Sequence, residues 1–137
     1  MKQTLRHYTN EAVSRHPRLA LGFACPSRLR LRIRAELSNL TNELWLSPIS
    51  TWEALLLNAR GRIRLPVNLT EWLAKATVPL REAPFTHEIV LAAQQQPLPH
   101  RDPADRFLAA TAQVMDLTLV TSDDLLLGLG TIRTMKN

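Results

Sequence analysis

The chain has a single cysteine, Cys25, in 137 residues, which excludes an internal disulfide framework and any cysteine-rich zinc site. That scarcity suits a reducing cytoplasm. No apolar run reaches the roughly 18 residues that span a bilayer. Met1-Lys2-Gln3-Thr4 is not followed by the apolar stretch of a secretory signal. A cytoplasmic protein without membrane contact is therefore expected. No Gly-rich phosphate loop, internal repeat or low-complexity tract is present, and the four histidines are scattered.

Hydrophobic residues at 45% and charged residues at 21% are ordinary for a soluble globular protein, and the length suits one domain with a real core. The net charge of +5 is unevenly spread. Residues 1–34 hold eight Lys/Arg against one acid, Glu11, whereas the remainder holds nine basic and eleven acidic groups. A basic end on a near-neutral body suits contact with a polyanion, and equally suits a solvated basic tail.

Alternating patterns organise the chain. Leu29, Ile33 and Leu37 predict a helix over 28–43, followed by a β-prone run over 44–49 whose Pro48 lies near its end. Ser50-Thr51-Trp52-Glu53 has the Ser-x-x-Glu spacing of a capping box and opens a helix that Gly61 ends. A short amphipathic helix is expected over Leu69–Thr77, a strand over Val78–Ala83, and a helix over Thr86–Gln95 with Thr86 as cap. Asp102-Pro103 begins the clearest helix, with Phe107, Ala110, Thr111 and Val114 along one face. Leu117–Thr121 is a buried-type strand and Thr131–Met135 an edge strand. Such alternation predicts an α/β fold with a parallel sheet and helices on both faces. Val120, Leu119, Phe107, Val114, Leu46 and Ile49 are expected to be buried together.

Three acids then stand out. Glu53 opens the helix after the 44–49 strand, Asp105 lies in the first turn after Pro103, and Asp123 follows the 117–121 strand. In open α/β sheets, sites form beyond the carboxyl ends of the strands, so these carboxylates can share one edge. Crowded carboxylates repel, and hard oxygen ligands of this kind suit Mg²⁺ or Mn²⁺. Each acid also has a plain structural reading. Glu53 taken alone is better explained as completing a capping box with Ser50, and Asp105 suits the helix dipole. Asp102 fits an N-cap, Asp124 begins a turn over Asp124–Leu127, and His100-Arg101 is either a phosphate contact or a solvated loop. Trp45, Trp52 and Trp72 sit at spacings that favour packing over base stacking.

The combination is more specific than its parts. Leu46–Glu53 followed by Gly61-Arg62-Ile63-Arg64-Leu65-Pro66 resembles the second-strand region of VapC-type toxins of the PIN-domain family. His100-Arg101-Asp102-Pro103-Ala104-Asp105-Arg106 resembles their His-Arg-Asp-Pro-x-Asp-Arg signature, and Leu117–Asp123 their fourth strand with its trailing acid. The resemblance runs from about residue 28 onward and leaves 1–25 atypical within a single domain over 1–137. It implies a three-layer PIN-like fold and a Mg²⁺- or Mn²⁺-dependent endoribonuclease, the toxin of a type II toxin–antitoxin system. It further implies a cognate antitoxin, an RNA substrate and a homodimer. Glu53, Asp105 and Asp123 match three of the four metal-site acids, with Asp102, Asp124 and Arg101 as auxiliary positions.

The fourth acid has no match. The family opens with an apolar central strand ending in aspartate, and residues 1–25 contain none. The nearest strand-like run, Leu19–Ala24, ends at Cys25-Pro26 without a carboxylate. An altered N-terminus of this kind keeps a second reading open: a catalytically inactive PIN-like protein that retains antitoxin or RNA binding. A general nucleic-acid-binding module built on the basic end is the third, and it leaves the acids unexplained.

Overall fold

The computed structural model describes residues 18–21, 35, 38–99 and 103–137. The described elements run β1 (Arg18–Leu21), β2 (Glu43–Leu46), α1 (Pro48–Ala59), α2 (Leu69–Ala76), β3 (Arg81–Glu82), α3 (His87–Gln94), α4 (Pro103–Val114), β4 (Thr118–Thr121), α5 (Asp124–Leu127) and β5 (Arg133–Lys136). Among the described residues the strands form one five-stranded sheet in the order β3-β2-β1-β4-β5, with every neighbouring pair parallel. This is the α/β architecture expected from the alternating pattern.

Parallel sheets bury both faces, so their middle strands carry apolar residues in succession. β1 does so with Leu19-Ala20-Leu21, and its register aligns Ala20 with Trp45 and Leu119, and Leu21 with Leu46 and Val120. Ala20, Trp45 and Leu119 face Leu108, Ala109 and Ala112 of α4 in the main core. Leu19 and Val120, flanked by Leu21, Leu44 and Met135, form a second core on the opposite face. Phe107 and Val114 belong to a third, with Ile89 and Ala93 of α3, where Phe107 also meets Phe85 edge-on at 4.9 Å. The residues expected in one core are thus divided, Leu119 and Ile49 joining the first, Val120 the second, and Phe107 and Val114 the third, while Leu46 belongs to none of them; neighbouring strand residues point to opposite faces. Only Leu119 and Val120 among them are fully buried.

Three expected boundaries shift for local reasons. The first helix stops before residue 39: Asn39 Oδ1 accepts from Thr41 N at 3.1 Å and from Thr41 Oγ1 at 2.7 Å, a side-chain turn that competes with helix. The bulk of that expected helix lies outside the described residues. The Val78–Ala83 strand contracts to Arg81–Glu82, which pairs only with the end of β2. The helix after β2 begins at Pro48 with Ser47 as its N-cap, Ser47 Oγ accepting from Ile49 N at 3.1 Å. Proline favours the first helical position because its ring presets φ and it has no N–H to satisfy. The Ser50 capping box is therefore not formed.

The amino edge of the sheet is closed by a polar array. Arg18 Nε lies 3.2 Å from Glu43 Oε2, and Arg18 Nη1 donates to the Met115 carbonyl at 3.1 Å. Arg18 and Arg81 both stack over the Trp45 ring. The Trp45 Nε1–H hydrogen bond, aided by Arg81 and Arg18, holds the Glu43 carboxyl below the usual glutamate value despite some desolvation. The Arg18–Met115 bond also places the C-terminal end of α4 at this edge, so its N-terminus starts from the other.

Candidate active site

The carboxyl edge is where the chain changes direction in the sheet. From β1 it steps outward through β2 to β3, then returns to the other side of β1 for β4 and β5. The strand order therefore reverses between β1 and β4, and in open parallel sheets sites form at such a switch point, beyond the carboxyl ends of the strands. Each acid singled out in the sequence belongs to an element that starts from this edge.

Glu53 lies in the second turn of α1, since Pro48 rather than Ser50 opens that helix. It is half-buried, with Oε1 shielded from solvent. Removal of the capping-box explanation leaves its position to be explained by what surrounds it. Glu53 shares a cleft with Trp52, Leu56, Leu57 and Arg60 of α1 and with Pro103 and Ala104, the first residues of α4. Asp105, half-buried, follows directly in that first turn. The helix pair α1–α4 thus brings Glu53 to the helix start that carries Asp105.

Asp123 stands just past β4 and serves as the N-cap of α5. Its Oδ1 accepts from Leu125 N at 2.9 Å and from Leu126 N at 3.1 Å, while its own N–H donates to Thr121 Oγ1 at 3.1 Å. The side chain is held in place by α5, with both of those bonds on one carboxylate oxygen. Asp124 is exposed in the following turn. Asp102 and Arg101 lie outside the described residues.

Hard carboxylate oxygens fit Mg²⁺ or Mn²⁺ by donor chemistry. By arrangement, no group of three or more His, Cys, Asp or Glu residues stands close enough to hold a metal ion among the described residues. Glu53 and the first turn of α4 share a cleft, and Asp123 is not among the residues lining it.

Two supporting residues were not legible as such. Ser50 is buried, and its hydroxyl donates to the carbonyl of Leu21, the last residue of β1, at 3.0 Å. That bond ties the start of α1 to the end of the central strand. Arg106 is 8% exposed and donates to the carbonyls of Gln94, at 2.9 Å, and Leu98. A buried guanidinium needs such partners, and these two pin the end of α3 to the first turn of α4 beside Asp105. The Asp-Arg of the signature stretch was the available signal.

A fully parallel sheet in this order, with α1, α4 and α5 starting from its carboxyl edge, defines an α/β class with a single switch point between β1 and β4. A family model for the PIN domain matches residues 20–128, which includes every element from the end of β1 to α5. The chain belongs to the PIN domain family. The match starts within the central strand, ahead of the motifs recognised in the sequence. Among solved structures, a chain of DNA-bound VapBC from Salmonella typhimurium superposes with a TM-score of 0.65 at 16% identity, covering 88% of this chain and 98% of that one. A chain of VapBC2 from Rickettsia felis, bound to a DNA fragment from its promoter, gives 0.61 at 16% identity, covering 87% and 98%. At this identity the likeness concerns the fold. No curated protein matches the chain by sequence.

Proposed function

We propose that this chain is a VapC-type toxin, a metal-dependent endoribonuclease that hydrolyses RNA phosphodiester bonds and is held in check by a cognate antitoxin. The observation that supports this best is the placement of Glu53, Asp105 and Asp123 on elements starting from the carboxyl edge, inside the stretch matched by the PIN model. These three would hold Mg²⁺ or Mn²⁺, with Asp102, Asp124 and Arg101 as auxiliaries. A divalent cation there supplies positive charge for a phosphodiester and a means of activating water. The protein's part is orientation: the Asp123 cap fixes one carboxylate, the Arg106 clamp fixes the first turn of α4, and the Ser50 bond fixes α1 against β1. The neighbours of like fold are VapBC complexes, which supports an antitoxin partner; a homodimer and a cytoplasmic setting belong to the same proposal. No helix among the described residues is long and apolar enough to cross a membrane.

A second reading is favoured by one specific feature. β1 ends at Leu21, the next residue is Gly22, and residues 22–34 contain no acid, so the central strand contributes no carboxylate. The second reading is a PIN-like protein that binds antitoxin or RNA without cleaving. Incubation of purified protein with RNA in Mn²⁺, in Mg²⁺ and in EDTA separates the two. The nuclease reading expects cleavage only with metal, lost in Glu53→Gln and Asp123→Asn. Cleavage undiminished by EDTA sinks the metal mechanism, and no cleavage with either metal favours the inactive protein.

A further inference from the structure

Trp52 departs from the packing role that its spacing suggested. It is 50% exposed. The buried positions of α1 are Ser50 and Ala54, and Trp52, midway between them, falls outside the buried stripe. Its ring lines the cleft of about 300 Å³ between α1 and the start of α4. Leu56, Leu57, Pro103 and Ala104 give that cleft apolar walls, Glu53 lies at the end toward the acidic edge, and Arg60 lies two turns further along α1.

Arg60, Arg62 and Arg64 are exposed, and none makes an ion pair among the described residues. A half-exposed aromatic beside unpaired cations is the pairing by which proteins hold single-stranded nucleic acid. The ring offers a face to a base and the cation meets the adjoining phosphate. An apolar peptide side chain would use the walls of the cleft but would leave the Arg60 guanidinium that lines it without a partner.

We propose that the α1–α4 cleft is a base subsite for single-stranded RNA, with an unpaired base stacked on Trp52 and a neighbouring phosphate on Arg60. The subsite rests on the nuclease reading only for its choice of RNA as ligand, and it places the bound strand beside Glu53. Paired bases keep their faces covered, so a duplex cannot use it.

The test is fluorescence anisotropy with the full chain in EDTA, which separates binding from cleavage. The probe is a fluorescein-labelled oligouridylate, single-stranded or annealed to oligoadenylate. Trp52→Ala is expected to weaken single-strand binding about tenfold, Trp52→Leu similarly, and Trp52→Phe much less, since one aromatic face remains. Arg60→Gln is expected to lower the salt dependence by about one charge. Melting curves establish that the variants fold, which the exposure of Trp52 favours. Equal binding by wild type and Trp52→Ala overturns the proposal, as does absence of wild-type binding. Full rescue by leucine would mark an apolar pocket for a protein partner, and equal losses on the duplex would mark a general charge effect; either overturns it too. Trp52-dependent binding without cleavage in Mn²⁺ upholds the subsite while removing the nuclease.

Discussion

Ser47 caps the helix that carries Glu53 six residues further on, and the roles proposed for the two differ in a way that stability measurements can separate. Ser47 is buried and supplies the N-cap of α1 through its hydrogen bond from Ile49 N. Ser47→Ala removes that acceptor and leaves a shielded N–H, which costs about 1–2 kcal/mol. For a domain of this size that corresponds to a melting temperature lower by about 3–8 °C. Glu53 lies outside the first turn and outside the cap. Glu53→Gln keeps the shape and removes a charge, so on the proposed metal role its melt without metal should be unchanged or slightly higher. On the proposed metal role, Mn²⁺ should reverse the order. At a hundred times its Kd, a bound ion stabilises by about 2.7 kcal/mol, a rise on the order of 10 °C in wild type and in Ser47→Ala but absent in Glu53→Gln. The assay is differential scanning fluorimetry with and without Mn²⁺. A Glu53→Gln protein that melts as early as Ser47→Ala without metal, and gains as much as wild type with it, would refute the assignment.

Asp105→Asn should behave as Glu53→Gln does: no Mn²⁺ response and no loss of stability without metal, whereas a role confined to the helix dipole costs up to about 1 kcal/mol and leaves the Mn²⁺ response intact. Arg106→Met should destabilise by about 2 kcal/mol or more, because the carbonyls of Gln94 and Leu98 lose a charged donor inside the protein; a melt within 1 °C of wild type, roughly the noise of a change that alters no buried bond, removes the clamp. Glu43 gives a pH signature of known sign. Its carboxyl is held below 4.5, so it contributes stability above that value which is lost as pH falls through the lower folded value. The stability gap between wild type and Glu43→Gln should accordingly close on acidification. The side chain is 38% exposed, so the gap is small, and a gap that widens below pH 4.5 contradicts the sign.

How much was legible follows from how local each signal is. Thr86 as a cap, the helix over 69–77 and the Asp-Pro start before Pro103 depend on residues a few positions apart, and α2, α3 and α4 begin and end within a residue or so of those expectations. The acids could be assigned to one edge because a parallel sheet sends every strand end the same way. The aspartates are confined to positions from Asp102 onward, so the absence of an aspartate after the first strand is a property of the sequence that no packing can repair.

Tertiary structure decided the rest. Ser47 and Ser50 are both good caps in sequence, and the choice fell to Ser47 because Pro48 starts the helix and Ser50 is drawn inward to the Leu21 carbonyl. That choice moved Glu53 out of the first turn. Arg18–Leu21 overlaps the strand-like run Leu19–Ala24, whose sequence does not say that it is central; it becomes the central strand because β2 and β4 pair on either side of it and bury Leu19 fully. Trp52 and Trp45 look alike in a list of residues. One is covered because its strand lies inside the sheet under two arginines, and the other is exposed because its helix turns it away from the core. Periodicity specifies which residues share a face, but only the neighbours that pack against an element determine which face is covered.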